Sequence, residues 1–278
     1  MRKIKIDNND NKNTYTLITG ATGGLGKAFC IELAKLNHNL YLTGTNETKL
    51  TNLKDEILQL YPNINVKYMP CDLANFESRT GLLKDIKENN VVIRTLINNA
   101  GFITEGSIKN AQIETILKCI QVNCEGTIHL TKQILDNKPL NHKLNIICIT
   151  SMAANYPMPY MAIYSSTKSL LKNFMIALRH EYKQDNVNVL IVEPGAIATS
   201  EEMKTAIETQ GLKGKLSSVS PEKIAKKSIK YSVKKRSRYV PGFFNRLTLF
   251  VSNLAPSNLK TKAIAKMWRK SQDKRNIK

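Results

Sequence analysis

"YTLITGATGGLGKAFCIELAKL", residues 15–36, holds the decision about the fold. Its first five residues form a short β-rich run that ends at a cluster of glycines. "TGATGGLG" follows, from Thr19 to Gly26, and then Leu25, Ala28, Phe29, Leu33 and Leu36 recur at a helical period. Glycine lets the backbone turn tightly and lets a diphosphate come close to the main chain. The free N–H groups and the dipole at the start of the following helix attract anions. A plain glycine-rich turn has the same composition. The strand before it and the helix after it point to a nucleotide-phosphate loop.

Working outward, the same alternation repeats. "NLYLTG" (39–44) is the next strand, and Leu50, Leu53, Ile57 and Leu60 give a helix over 48–61. "INVKYMP" (64–70) is a third strand, followed by a helix over 75–89 and the strand "RTLIN" (94–98). A long helix is predicted over 111–135, then the buried-looking strand "KLNIICIT" (143–150), a helix over 160–183 and the strand "VNVLIVE" (187–193). Strands alternating with helices argue for βαβ units, and hence for a mainly parallel sheet with helices on both faces and right-handed crossovers. The expectation is an α/β, Rossmann-like doubly wound parallel sheet forming a single domain over 14–242. A loose leader over 1–13 precedes it and a basic amphipathic helical tail over 243–278 follows. Such a sheet binds its ligand at the carboxyl ends of the strands, near the point where strand order reverses.

The bulk numbers fit one large domain: 278 residues, 42% hydrophobic. The first thirteen residues lack the apolar stretch of a signal peptide, and no run approaches the roughly 18 apolar residues of a transmembrane helix. Cys30, Cys71, Cys119, Cys124 and Cys148 are scattered through apolar segments, which reads as reduced core thiols in a cytoplasmic protein. Cys119 and Cys124 have no histidine partner at ligand spacing, so no metal is expected. Of the +20 formal charge, +15 comes from the tail between Lys226 and Lys278, where sixteen Lys/Arg face one acid, Asp273.

Further motifs sit at the strand ends: "CDL" (71–73), "NNAG" (98–101), "VN" (122–123), Ser151, "YSSTK" (164–168) and "PGAIAT" (194–199). With the glycine loop, in this order and spacing, the chain resembles the short-chain dehydrogenase/reductase family over residues 14–200. The resemblance implies an NAD(P)-dependent oxidoreductase with Asn123, Ser151, Tyr164 and Lys168 as catalytic residues. It implies a cofactor held by Thr19, Gly20, Thr22, Gly23, Gly24, Leu25, Gly26, Thr45, Asn46, Asp72, Leu73, Asn99, Ala100, Gly101, Tyr164, Lys168, Pro194, Gly195, Ile197 and Thr199. In the family Asp72 contacts the adenine, and Asn123 holds a water that relays protons to the lysine. A homodimer or homotetramer through the long helices is implied too.

The residues themselves make this chemistry reasonable. Tyr164 and Lys168 lie one helical turn apart on a shared face. A neighbouring ammonium favours the phenolate form of a tyrosine, so the pair can give a proton to a carbonyl oxygen or take one back. Ser151 ends a buried strand, where its hydroxyl can hold the same oxygen, and Lys168 can also bond the nicotinamide ribose. The chain contains a decoy: "YSVKK" (231–235) repeats the spacing, with Ser218 thirteen residues upstream as Ser151 is of Tyr164. Ser218 sits in a polar run, and too few residues separate Tyr231 from the next Pro-Gly for a long helix and a strand.

Enzymes preferring NAD usually carry an acid at the end of the second strand, on the ribose 2′-hydroxyl. That position is Gly44. No carboxylate repels a 2′-phosphate, but the arginine often found in the family where this chain has Thr45, and the basic residue where it has Gly23, are missing. Thr22, Thr45, Asn46 and Lys49 are the available partners. NADP(H) is favoured, with NAD(H) open, and reduction is the expected direction.

The expected substrate is a small-molecule ketone or aldehyde, acyl- or lipid-derived; an alcohol dehydrogenase of a sterol or polyol and a non-catalytic nucleotide-binding scaffold are the alternatives. Residues 200–220, with Gly211 and Gly214, match the family's substrate-covering segment. Tyr156 to Tyr160 form either an apolar wall or an ordinary loop. In the tail, "RYVPG" (238–242) is read as a last strand. Phe243, Leu247, Phe250 and Leu254 then share one helical face, followed by a Lys/Arg-rich run with Trp268. This stripe either docks on its own domain or a second subunit, or lies peripherally in an anionic membrane surface, at the inner face of a membrane. Nucleic acid is disfavoured, because no recognition motif accompanies the charge.

Overall fold

The computed structural model describes residues 13–198 and 216–276. The expected leader up to residue 12, and Thr199, Gly211 and Gly214, lie outside the described residues. Seven strands form one sheet in the order β3-β2-β1-β4-β5-β6-β7. They are β1 Thr14–Thr19, β2 Asn39–Gly44, β3 Val66–Pro70, β4 Val92–Asn98, β5 Leu144–Ile149, β6 Val187–Val192 and β7 Arg238–Tyr239. Every neighbouring pair is parallel. Between β1 and β4 the strand order reverses, which opens the ligand crevice at the carboxyl ends of these two strands.

The helices are α1 Gly24–Ala34, α2 Glu47–Leu60, α3 Phe76–Glu88, α4 Ile113–Ile120, α5 Thr127–Asp136, α6 Ala162–Glu181, α7 Pro221–Val233, α8 Phe243–Leu254 and α9 Ser257–Asn276. Successive strand residues point to opposite faces, and both faces are covered, so β1 is buried throughout. Ile18 packs on one face with Phe29 and Leu33 of α1, Leu50 and Ile57 of α2, and Ile224 and Ile229 of α7. Leu17 packs on the other with Leu82 of α3, Leu130 of α5 and Leu171 and Met175 of α6. Asn46 and Asn75 start α2 and α3 by accepting hydrogen bonds from Lys49 N (2.8 Å) and Ser78 N (2.7 Å).

Of two local features, the first differs from the expectation and the second agrees with it. The predicted helix over 111–135 is two α-helices joined by a π-type turn, Gln121–Gly126. Gly126 explains the fault: a Cβ there would lie 2.5 Å from Leu73 O, so the chain must pass this close to the β3–α3 connection. The second concerns the decoy. Tyr231 is in α7, packing edge-on against Tyr239 at 5.0 Å, whereas Lys235 lies beyond the helix end with φ 55°. That pair shares no helical face.

Candidate active site

The glycine turn is closed by contacts that leave no room for side chains. Gly20 has φ +61°, and a Cβ there would come 3.0 Å from Ala100 Cα. At Gly26 a Cβ would come 2.1 Å from Gly20 O, so α1 can start this close to β1 only with glycine. Gly23 N donates to Gly20 O (3.1 Å), and α1 begins at the next residue. The turn is tied to the end of β4: Asn99 Nδ2 donates to Thr19 O (2.9 Å) and Gly20 O (3.0 Å), while Thr19 Oγ1 accepts from Asn99 N and Ala100 N, each 3.0 Å. Thr19 is fully buried, so its hydroxyl serves this tie. Half-buried Thr22 and exposed Gly23 face outward, and Leu25 joins the core. A cradle that glycine alone can line, at a helix start on the switch point, fits a dinucleotide diphosphate.

At the end of β2, a Cβ on Gly44 would sit 3.5 Å from Thr22 Oγ1, which is ordinary contact distance. Thr45, Asn46 and Lys49 are exposed there, although the Asn46 carbonyl oxygen is engaged in capping α2. At the end of β3, Asp72 Oδ1 accepts from Ala74 N (2.9 Å) and Asp72 N donates to Ser78 Oγ (3.0 Å), which fixes the Asp72–Leu73 corner. Arg79 is nearly fully buried; it donates to Leu73 O, pairs with Glu125 and reaches His129 Nδ1 at 3.2 Å. The Asp72–Leu73 corner is thereby tied to the π-type turn through Glu125.

That turn presents Asn123, 0% exposed. Its Oδ1 accepts from Phe102 N (2.7 Å), and its Nδ2 donates to Phe102 O (2.9 Å) and Thr167 Oγ1 (3.0 Å). Lys168, 4% exposed, donates to Ile149 O at 3.1 Å. Its Nζ lies 5.8 Å from the centre of the half-buried Tyr164 ring, one turn back on α6. A Cβ placed on Gly101 would lie 3.2 Å from Lys168 Nζ and 3.6 Å from Asn123 Oδ1. The ammonium and the amide therefore face the same point, and glycine at 101 keeps it open. Ser151 follows β5 and starts a short 3-10 turn, Met152–Asn155, its Oγ accepting from Ala153 N (3.1 Å). Met152 N donates to Pro194 O (3.0 Å), which sets the Ser151 segment beside Pro194 and Gly195. Half-buried Ile197 packs on the core.

Sequence reasoning passed over a buried network behind Ser151. Glu193 is 0% exposed and ends β6. Arg238 grips it with Nε (2.6 Å) and Nη2 (2.7 Å), Asn155 Nδ2 donates to it (2.7 Å), and Lys172 stands 3.7 Å away. Asn155 also holds Met152 O (3.0 Å), so the charge cluster braces the turn that carries Ser151. Burial pushes the Lys172 ammonium below its ordinary value, against the pull of Glu193. Burial, and then the Glu193 carboxylate, push the Tyr156 phenol up. The one signal in the sequence was an acid directly after a buried apolar strand; Arg238, 45 residues on, carried none. Asn245 of α8 was equally silent: a Cβ on Gly195 would come 2.8 Å from its Nδ2.

All five cysteines are free and buried. Burial pushes Cys124 up to about 11 and Cys148 up to about 12, which disfavours the thiolate at both. Among the described residues no cluster of His, Cys, Asp and Glu could hold a metal.

The family model described as short chain dehydrogenase matches residues 14–210. A very-long-chain 3-oxoacyl-CoA reductase-like protein of Arabidopsis thaliana is 31% identical over 252 residues, 88% of this chain and 78% of its own. A very-long-chain 3-oxoacyl-CoA reductase of Emericella nidulans is 28% identical over 196 residues, and there the match spans only 55% of the relative's length. Among solved structures, one described as bearing on 7beta-hydroxysteroid dehydrogenase stereoselectivity superposes with a TM-score of 0.83 at 19% identity. It covers 90% of this chain and 96% of its own.

Proposed function

The chain belongs to the short-chain dehydrogenase family of oxidoreductases, and from that premise we propose that it reduces a ketone on an acyl- or lipid-derived substrate with NADPH, Tyr164 giving the proton. The observation that carries this reading is the convergence of Lys168 Nζ and Asn123 Oδ1 on the open point at Gly101, one turn from Tyr164. Bound NADPH supplies the hydride. The rest falls to the chain's own side chains. The Gly20–Gly26 turn and the start of α1 hold the diphosphate. Asp72 and Leu73 border the adenine. Thr22, Thr45 and the start of α2 take the 2′-phosphate next to Gly44, where no acid opposes it. Asn99, Ala100, Gly101, Pro194, Gly195, Ile197 and Lys168 flank the nicotinamide side. Ser151 holds the carbonyl oxygen, Tyr164 protonates it as negative charge develops, and Asn123 keeps Lys168 supplied from the turn beneath.

The substrate reading rests on the names of the two reductase relatives. It is supported by a cavity of about 320 Å³ at the start of α6, lined by Ile103, Ile108, Ile116, Tyr160 and Met161 among others. A homodimer is supported by the exposed Leu117 and Ile120 of α4 and Leu170 and Ile176 of α6. A panel of ketones, with 3-oxoacyl thioesters of increasing length, followed by NADPH absorbance tests the proposal. Turnover should rise with chain length and exceed that with NADH. A higher kcat/KM with NADH across the panel would overturn the cofactor assignment, and no turnover of any carbonyl would overturn the reaction.

A further inference from the structure

α8 wears its apolar stripe on the outside. Phe243 is 73% exposed, Phe250 66% and Leu254 74%, and Leu247 and Val251 are exposed on the same face. The buried side of α8 is the opposite one: Asn245 and Leu249. Asn245 Nδ2 donates to Ser217 O and Pro241 O, each at 2.8 Å, which seats the helix through a polar anchor and turns its larger hydrophobes outward. α9 likewise exposes Leu259 and Met267 among exposed Lys262 and Lys266. Trp268 instead turns inward, its Nε1 buried. Between 243 and 276 the chain carries eight Lys/Arg and one acid. No helix of the described residues is long and apolar enough to cross a membrane.

We propose that this face of α8 and α9 docks on an anionic lipid bilayer, the hydrophobes entering the interface and the lysines and arginines meeting the headgroups. Charge complementarity selects this occupant. A second copy seated on the same patch by a two-fold axis would bring two cationic α9 helices together, whereas anionic lipid neutralises them. The helix that carries this face is seated by its opposite side next to the candidate site: α8 packs against the Met152–Asn155 turn and Asn245 lies close to Gly195, while Arg269 Nε of α9 reaches Tyr160 Oη at 3.4 Å. Docking thus brings the candidate site near the bilayer surface, whatever carbonyl is reduced there.

Flotation of the full chain with vesicles tests this without any need for turnover. The chain should float with phosphatidylcholine vesicles containing phosphatidylserine, float about tenfold less with phosphatidylcholine alone, and be released by high salt. The double variants Phe250→Asp/Val251→Asp and Lys262→Glu/Lys266→Glu should each lose binding by about tenfold or more. Both should keep the wild-type melting temperature and its shift on adding NADPH. The proposal is overturned if the wild type stays with the protein fraction in the presence of phosphatidylserine, or if both folded variants float as it does. It is equally overturned if light scattering shows that Phe250→Asp/Val251→Asp dissociates a dimer that covers this face.

Discussion

Tyr164 and Lys168 were paired by their spacing, and the structure adds what spacing lacks: Lys168 is buried, anchored on Ile149 O, and looks at the same point as Asn123. If Tyr164 is the proton donor, Tyr164→Phe should lower kcat by about 10²–10⁴-fold with nucleotide affinity preserved, read by stopped-flow and by equilibrium titration. Equal loss of both would place the tyrosine in binding. Gly44 offers a second test. A side chain fits there without collision, so Gly44→Asp should fold and set a carboxylate where the 2′-phosphate is proposed to lie. Its kcat/KM for NADPH should fall by about tenfold or more relative to NADH; an unchanged ratio would remove the 2′-phosphate from this corner. Gly26 tolerates no such change, since a Cβ would overlap Gly20 O at 2.1 Å.

At the scale of elements, β6, β7, α6 and the Ser151 turn meet at Glu193. Removing a buried carboxylate from beneath Arg238 and Lys172 strands their charge, so Glu193→Ala should cost about 2–4 kcal/mol by denaturant unfolding. Arg238 is partly exposed, which holds the figure below that of a fully buried pair. The Ser151 turn should loosen as well, with kcat falling further than nucleotide affinity. Elsewhere on the same face of the sheet, α3 and α5 meet at Arg79 and His129. Burial, and then the Arg79 guanidinium, hold the His129 imidazole below its ordinary value. Below pH ~6.5 the unfolded chain binds a proton there that the folded chain resists. The stabilisation is therefore present above that pH and is lost as pH falls through it. His129→Gln should flatten the acid side of a plot of melting temperature against pH; an unaltered slope would assign the acid limb to other groups.

For the whole molecule, most of the formal charge lies at one end: +15 of the +20 falls between Lys226 and Lys278. Strand and helix order was legible because most strands are short β-rich runs and the helices between them carry a 3.6-residue apolar pattern, signals carried by neighbouring residues. The glycine turn was legible because few backbones allow φ +61° at Gly20 or the contact at Gly26, so composition reports geometry there. The π-type turn was not: it packs at Gly126 against Leu73 O, about fifty residues away, where a Cβ would come within 2.5 Å. The same distance hid Arg238 from Glu193 and Arg79 from Glu125.

By itself, then, the sequence determined the βαβ order and the family, because each is written in local spacing and motif order. It also showed that α8 is amphipathic. Only the tertiary structure decided which side of α8 the body would take. It took Asn245 and Leu249, through hydrogen bonds to Ser217 O and Pro241 O, and left Phe243, Phe250 and Leu254 in solvent. A helix buries the face that matches its seat, and that seat is assembled from strand ends and turns far apart in the chain.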